Sequence, residues 1–363
     1  MVLFTIINNF VKSVIHSIIS IKWKGKNYMK KILIAAIILG LHCSVVYCNA
    51  KDYNDDINQY FQSAMEKYQN KDYEGAIADY EKIIFIQKNE PEVYHNMAVV
   101  KYASGNIQGA LKDIDTAISI KKEAAFYDTK GIIYLINNDT NSAIQNFSEA
   151  IKINPTLSLA YTHRATCYIA QWHFESAVED LTNAINYYAN QPTNNLRYLT
   201  LNLQKGDIQN SLLEHQNLDI IYSLRAYANW YNKNVSAADE DSKKALSINP
   251  NNSKALFVKG LVQIHNKQYE SSIQTYSKLI QLPSDNNTVS DAYLQRARAY
   301  AYLNNFDKAM QDLNKSIGYG SNNGAAYYLR GTLKQHVFKD STGGQKDIEQ
   351  GLRLIQNKNQ LLK

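Results

Sequence analysis

From Val93, Phe126 and Ala160 onward, three stretches of this chain superimpose at a spacing of 33 to 34 residues. They read "VYHNMAVVKYASGNIQGALKDIDTAISI", "FYDTKGIIYLINNDTNSAIQNFSEAIKINP" and "AYTHRATCYIAQWHFESAVEDLTNAI". Each carries a Tyr, an Ala or Gly four residues later, a turn, and then Ala, a large apolar residue and another Ala. A period of this length marks stacked repeat architectures, and it constrains the fold more than any other feature.

The pattern has a direct physical reading. Apolar residues recur at three and four residues, so each unit holds two helices with one buried face apiece. Small residues let the two helices approach closely. The dipeptides "GN", "ND" and "NN" between them suit a turn, because Gly and Asn tolerate unusual backbone angles. One such unit cannot bury its own apolar face, so neighbours must stack into a continuous core. The length after residue 50 exceeds a typical single core, and no linker-like stretch divides it.

These residues resemble the tetratricopeptide repeat. The family's small eighth position is filled by Ala64, Ala98, Gly131, Ala165, Ala226, Gly260, Ala297 and Gly331. Its twentieth is Ala76, Ala110, Ala143, Ala177, Ala238 and Ala309, with Ser211 and Ser272 as departures. Its twenty-seventh is Ala117, Ala150, Ala184 and Ala245, with Ser316 and Gly351 standing in. Tyr replaces the family's common Trp at position four, as in Tyr60, Tyr94, Tyr127, Tyr161, Tyr222, Tyr293 and Tyr327. The resemblance implies an all-α fold, a right-handed α-solenoid of stacked antiparallel helix pairs with about eight to nine units. Units one to four span 57–191 and units six to nine span 219–360, after a short lead-in at 51–56 and before a tail at 361–363. Segment 192–218 departs: Thr200 stands where a small residue belongs, and the second helix is short. It is expected to be a degenerate unit or a hinge.

Residues 29–50 ("MKKILIAAIILGLHCSVVYCNA") follow another logic. A basic head, an apolar run from Ile32 to Leu41 and small residues near Ala50 have the layout of a secretory signal peptide. The run is too short to span a bilayer. Bulky His42 and Tyr47 before Cys43 and Cys48 disfavour lipid attachment. Residues 1–28 are read as an over-extended start, with a basic apolar leader as the rival. Export to the periplasm, outer surface or extracellular space is therefore expected, with no stable membrane span in the mature chain. The full sequence carries 39 basic and 33 acidic residues. The six lysines before residue 51 account for the whole excess, so the remainder is neutral and no nucleic-acid surface is expected. Only Cys167 remains after residue 50, at a helix position that normally packs inward.

No catalytic signature is present. "STGGQK" (Ser341–Lys346) resembles a phosphate loop but lacks its first glycine and the hydroxyl residue after lysine. The histidines after residue 50 are scattered, none four residues from another, so no metal or cofactor is expected. The chain is read as a non-enzyme. In tetratricopeptide proteins the first helices line a concave groove, so the resemblance places a partner-binding surface at Phe61, Met65, His95, Val99, Tyr227, Trp230, Tyr231, Phe257, Leu261, Arg298, Tyr302 and Tyr328. Such a groove suits an apolar peptide or helix of a partner protein. The family's clamp for acidic chain termini is not matched. Two alternatives stay open: the aromatics could stack on glycans of the cell envelope, or individual rings could simply pack between helices. The end of the chain, with Ile348, Leu352 and Leu354, is a candidate surface for pairing with a second copy.

Overall fold

A computed structural model describes residues 55–188 and 218–361. It contains sixteen helices and, among the described residues, no strand. They alternate as antiparallel pairs. The first four pairs are α1 (55–69) with α2 (Tyr73–Ile86), α3 (Pro91–Ala103) with α4 (Ile107–Ile120), α5 (Ala124–Ile136) with α6 (Thr140–Ile153), and α7 (Ser158–Ala170) with α8 (Phe174–Tyr187). The second four are α9 (Leu218–Tyr231) with α10 (Val235–Ile248), α11 (Ser253–His265) with α12 (Tyr269–Gln281), α13 (Asn286–Tyr302) with α14 (Phe306–Tyr319), and α15 (Gly324–His336) with α16 (Ser341–Leu361). Each first helix packs on its own partner and on the pair before it, which makes a solenoid.

The turn inside each pair is built the same way. One residue adopts a left-handed backbone: Lys71, Gly105, Asn138, Trp172, Lys233, Lys267, Asn304 and Lys339. Gly and Asn accept this conformation easily, whereas Lys and Trp hold it at a cost of about 1 kcal/mol each. In six of the eight turns the following residue caps the second helix with its side chain, His173 and Gln268 being the exceptions. Asp72, Asn106, Asp139, Asn234, Asn305 and Asp340 each accept a hydrogen bond from the backbone N–H three residues on. Two of the departures from Ala are also accounted for. Buried Ser272 donates to the Gly260 carbonyl at 3.1 Å, and buried Ser316 donates to the Ser290 carbonyl at 2.8 Å.

A second regularity ties neighbouring pairs together. Arg164, Arg225, Arg296 and Arg330 stand at position seven of their units. Each grips an aspartate of its own second helix through two parallel bonds: Asp180, Asp241, Asp312 and Asp347. Each also reaches back to position 25 of the preceding pair, at Ser148, Thr182, Ser277 and Asn314, over 2.8–3.0 Å. The position-four tyrosines Tyr161, Tyr222, Tyr293 and Tyr327 lie 5.3–5.8 Å from these guanidiniums. Tyr at that position therefore roofs a cation as well as filling space. Where arginine is missing the chemistry shifts as a set. Lys67 and Lys101, at position eleven, pair with Asp79 and Asp113. Lys130 instead reaches Asp115 of the preceding pair.

The expected degenerate unit or hinge at 192–218 lies outside the described residues, apart from Leu218. On either side of it, α9 packs on α8 as other first helices pack on the pair before them. Tyr188 and Leu218 join one apolar cluster with Leu181 and Ile221, and Arg225 of α9 bonds Thr182 of α8 at 3.0 Å.

Candidate functional site: the concave groove

The two halves of the predicted groove differ. In the first, Phe61 and Met65 are half-buried against the core. His95 and Val99 do not serve as groove residues, with 1% and 0% of their surface exposed. Position five of α3 faces the next first helix, so the His95 ring lies 5.1 Å from Phe126 and bonds Thr129 at 2.9 Å. A similar bond joins Asp128 to His163 at 2.9 Å. These bonds make a ladder between successive first helices. Burial lowers the His95 pKa to about 4. Between that value and the ordinary ~6.5 the unfolded chain binds a proton that the folded chain refuses. Stability therefore falls as pH drops through that window, by up to about 3 kcal/mol. In chemical denaturation at stepped pH, His95→Gln is expected to flatten the fall between pH 6.5 and 4.

The second half is open. A cavity of about 630 Å³ is walled by Tyr231, Phe257, Leu294 and Gln295, and by Gly324 with Leu354 and Ile355 of the last pair. Polar groups at its edge include Asp291, which accepts a bond from Asn323 at 2.9 Å. Tyr231 anchors an aromatic cluster. It stacks on Phe174 at 5.2 Å and sits 4.7 Å from Tyr227 and 6.2 Å from Trp172. Tyr302 stacks on Tyr269 at 4.8 Å and stays 54% exposed, and Tyr328 is 46% exposed. Trp230 is half-buried and meets His265 edge to face. Leu261 is buried and is removed from the predicted set, because it packs inside the solenoid. Arg298 is exposed and donates to Gln295 at 3.0 Å.

Three neighbours of the cavity were missed from sequence. Trp172 and Phe174 belong to the turn and second helix of their unit, so a search confined to first helices passes over them. Lys254 stands at position two of α11, with its ammonium 5.1 Å from the Tyr227 ring centre. A signal for Trp172 existed: a large aromatic at a turn position where neighbouring units place Gly, Asn or Lys. At the chain's end Ile348 and Leu354 are half-buried, while Leu352 and Ile355 are exposed on α16.

Sequence profiles of the tetratricopeptide repeat match residues 124–157, 221–252 and 290–322, and a second profile of the same repeat matches 242–274. Over these residues the chain carries tetratricopeptide repeats. A repeat-containing relative from Methanocaldococcus jannaschii is 24% identical over 261 residues, 67% of this chain and 45% of its own length. The human protein SGT1 homolog is 39% identical over 57 residues, 16% of each chain. This chain thus spans less than half the length of either. Two solved structures share the fold. The APC/C hetero-tetramer Cut9–Hcn1 aligns with a TM-score of 0.54 at 16% identity, over 78% of this chain and 50% of that one. A tetratricopeptide repeat protein from Parabacteroides merdae aligns with a TM-score of 0.50 at 12% identity, over 76% and 98%. Proteins built of these repeats generally act as scaffolds that bind proteins or peptides, without enzymatic activity. Among the described residues no cluster of His, Cys, Asp or Glu could hold a metal ion, and no helix is long and apolar enough to cross a membrane. Cys167 is buried, and burial pushes its thiol up to about 12.

Proposed function

We propose that this chain is an exported interaction scaffold that holds a segment of a partner protein in the second half of its concave groove. The observation that carries this reading is the open cavity between Tyr231 and Gly324, lined by apolar and polar side chains together and bordered by stacked rings. Aromatic anchors with a polar rim are the usual composition of binding hot spots. The layout of residues 29–50 supports export. The first half is less suited to a partner, because His95 and Val99 are spent on packing.

A double change of Tyr231 and Phe257 to Ala tests the reading. Phe257 is half-buried and Tyr231 partly exposed, so the fold should survive, with an unchanged circular dichroism spectrum. Capture of partner proteins from native envelope extracts is expected to fall at least tenfold, the loss typical of truncating two hot-spot aromatics, roughly 2 kcal/mol or more. Unchanged capture would move the site off this groove. Retention on envelope polysaccharide with no protein captured would favour the glycan reading instead.

A further inference from the structure

The last pair exposes a face that the earlier pairs cover. Inside the stack, two register positions meet the start of the next first helix. Position 28 of the second helices is Ile or Leu and shares an apolar cluster with it: Ile151 with Leu157 and Ala160, Ile185 with Leu218 and Ile221, Leu246 with Leu256. Position five of the first helices is the other, as in His95 against Phe126. In the last pair these positions hold Leu352 and Tyr328. Leu352 is counted one residue later, because Arg330 and Asp347 stand seventeen residues apart where Arg296 and Asp312 stand sixteen apart. Leu352 is 44% exposed, and Tyr328 is exposed beside it. Ile355, in the register place where Tyr188 packs with Leu218, is exposed as well. A repeat stack ordinarily closes on a polar face, so α16 keeps an interior surface on its outer side.

The first pair does not fit that surface. Position three is apolar and buried in the later first helices, from Val93 and Phe126 to Ala326, but in α1 it is the exposed Gln59. Head-to-tail stacking of copies would bury that amide against Leu352, at a desolvation cost. The face fits itself better. Glu349 and Arg353 are both exposed and stand one turn apart along α16. Two α16 helices crossing antiparallel near Leu352 set Glu349 of each copy beside Arg353 of the other. We propose that two copies of this chain join tail to tail, as an isologous pair, through Leu352, Ile355 and Tyr328. The joint buries the same register positions as the interior joints and adds two ion pairs at its rim. Ile355 also walls the cavity, so the joint lies against the groove of each copy.

Sedimentation equilibrium of the purified full chain over a range of concentrations tests this. A monomer–dimer equilibrium that stops at the dimer is expected. Leu352→Glu puts a charge into the joint at an exposed position, so the circular dichroism spectrum should stay unchanged while the dimer weakens about tenfold or more. Two further variants test the two-fold arrangement. Glu349→Arg alone and Arg353→Glu alone each set like charges together, and each should stay largely monomeric where the native chain pairs. An equimolar mixture of the two should recover the dimer, because opposite charges then face each other across the joint. A native chain that stays monomeric, a dimer indifferent to Leu352→Glu, growth beyond the dimer, or a mixture no more associated than its components would overturn the proposal.

Discussion

Asp241→Ala is expected to destabilise the chain by about 3–5 kcal/mol, the cost of stranding a buried ion-pair partner. Asp241 is buried and accepts from both forks of Arg225, at 2.8 and 2.9 Å, and from Asn229 at 3.2 Å. Its removal orphans all three donors. The same guanidinium reaches Thr182, so the change also strains the joint between α8 and α9. In a repeat stack each unit contacts mainly its neighbours, and the damage should stay local. Hydrogen exchange is expected to accelerate in α9 and α10 far more than in α3 to α6. Asp307→Ala, an exposed aspartate on α14, should shift stability by no more than about 0.5 kcal/mol and serves as the control. Replacing both partners together, as Arg225→Met with Asp241→Leu, should recover most of the loss, because two apolar side chains carry no desolvation penalty. Equal destabilisation by the double and single changes would show that the pair holds geometry rather than compensating charge.

The clasp also shows where sequence reading reached and where it stopped. Small residues at positions 8, 20 and 27 were legible, because close helix approach admits few side chains and the period repeats the demand. The Arg–Asp pairing was equally periodic, at a spacing of sixteen residues in three units, yet it escaped notice. Charged residues on helices are ordinarily solvated faces, as Asp239–Lys243 and Glu240–Lys244 indeed are. Position seven also reaches a hydroxyl or amide at position 25 of the preceding pair. That fact belongs to the stack and not to the unit. The groove shows the same limit. Helix position alone assigned His95, Val99 and Leu261 to a binding surface, but how far neighbouring first helices splay decides which of these are covered. His95, Val99 and Leu261 are covered, whereas Tyr231 and Phe257 wall the cavity.

Gly260→Ala is expected to cost about 2–3 kcal/mol, although it adds one methyl group to a helix-favouring position. The methyl would lie 2.4 Å from the Tyr276 ring. That ring is fully buried, and its hydroxyl donates to the Phe257 carbonyl at 3.1 Å, so it cannot withdraw without losing the bond. Gly131 faces Phe147 in the same relation, at 2.5 Å. Units with Ala at this position mostly carry smaller aliphatic residues at the facing one: Ala98 with Ile114, Ala165 with Leu181, and Ala297 with Leu313. In these units the two positions share one volume, which Gly131 and Gly260 give to an aromatic ring; Ala64 with Tyr80 and Gly331 with Ile348 depart from the relation. Tyr276→Leu alone should cost roughly 2–4 kcal/mol through the space it empties. Combined with Gly260→Ala it recreates the Ala–Leu pairing found elsewhere in the chain. The double variant should therefore be more stable than the two single losses predict, by about 2 kcal/mol in a denaturant-melt cycle. Additive losses would refute the shared volume. The effect reaches the groove as well. Phe257 meets the Tyr276 ring edge to face at 6.0 Å, so Gly260→Ala should also weaken the partner binding proposed for the cavity that Phe257 lines, while Gly131→Ala should destabilise without touching it.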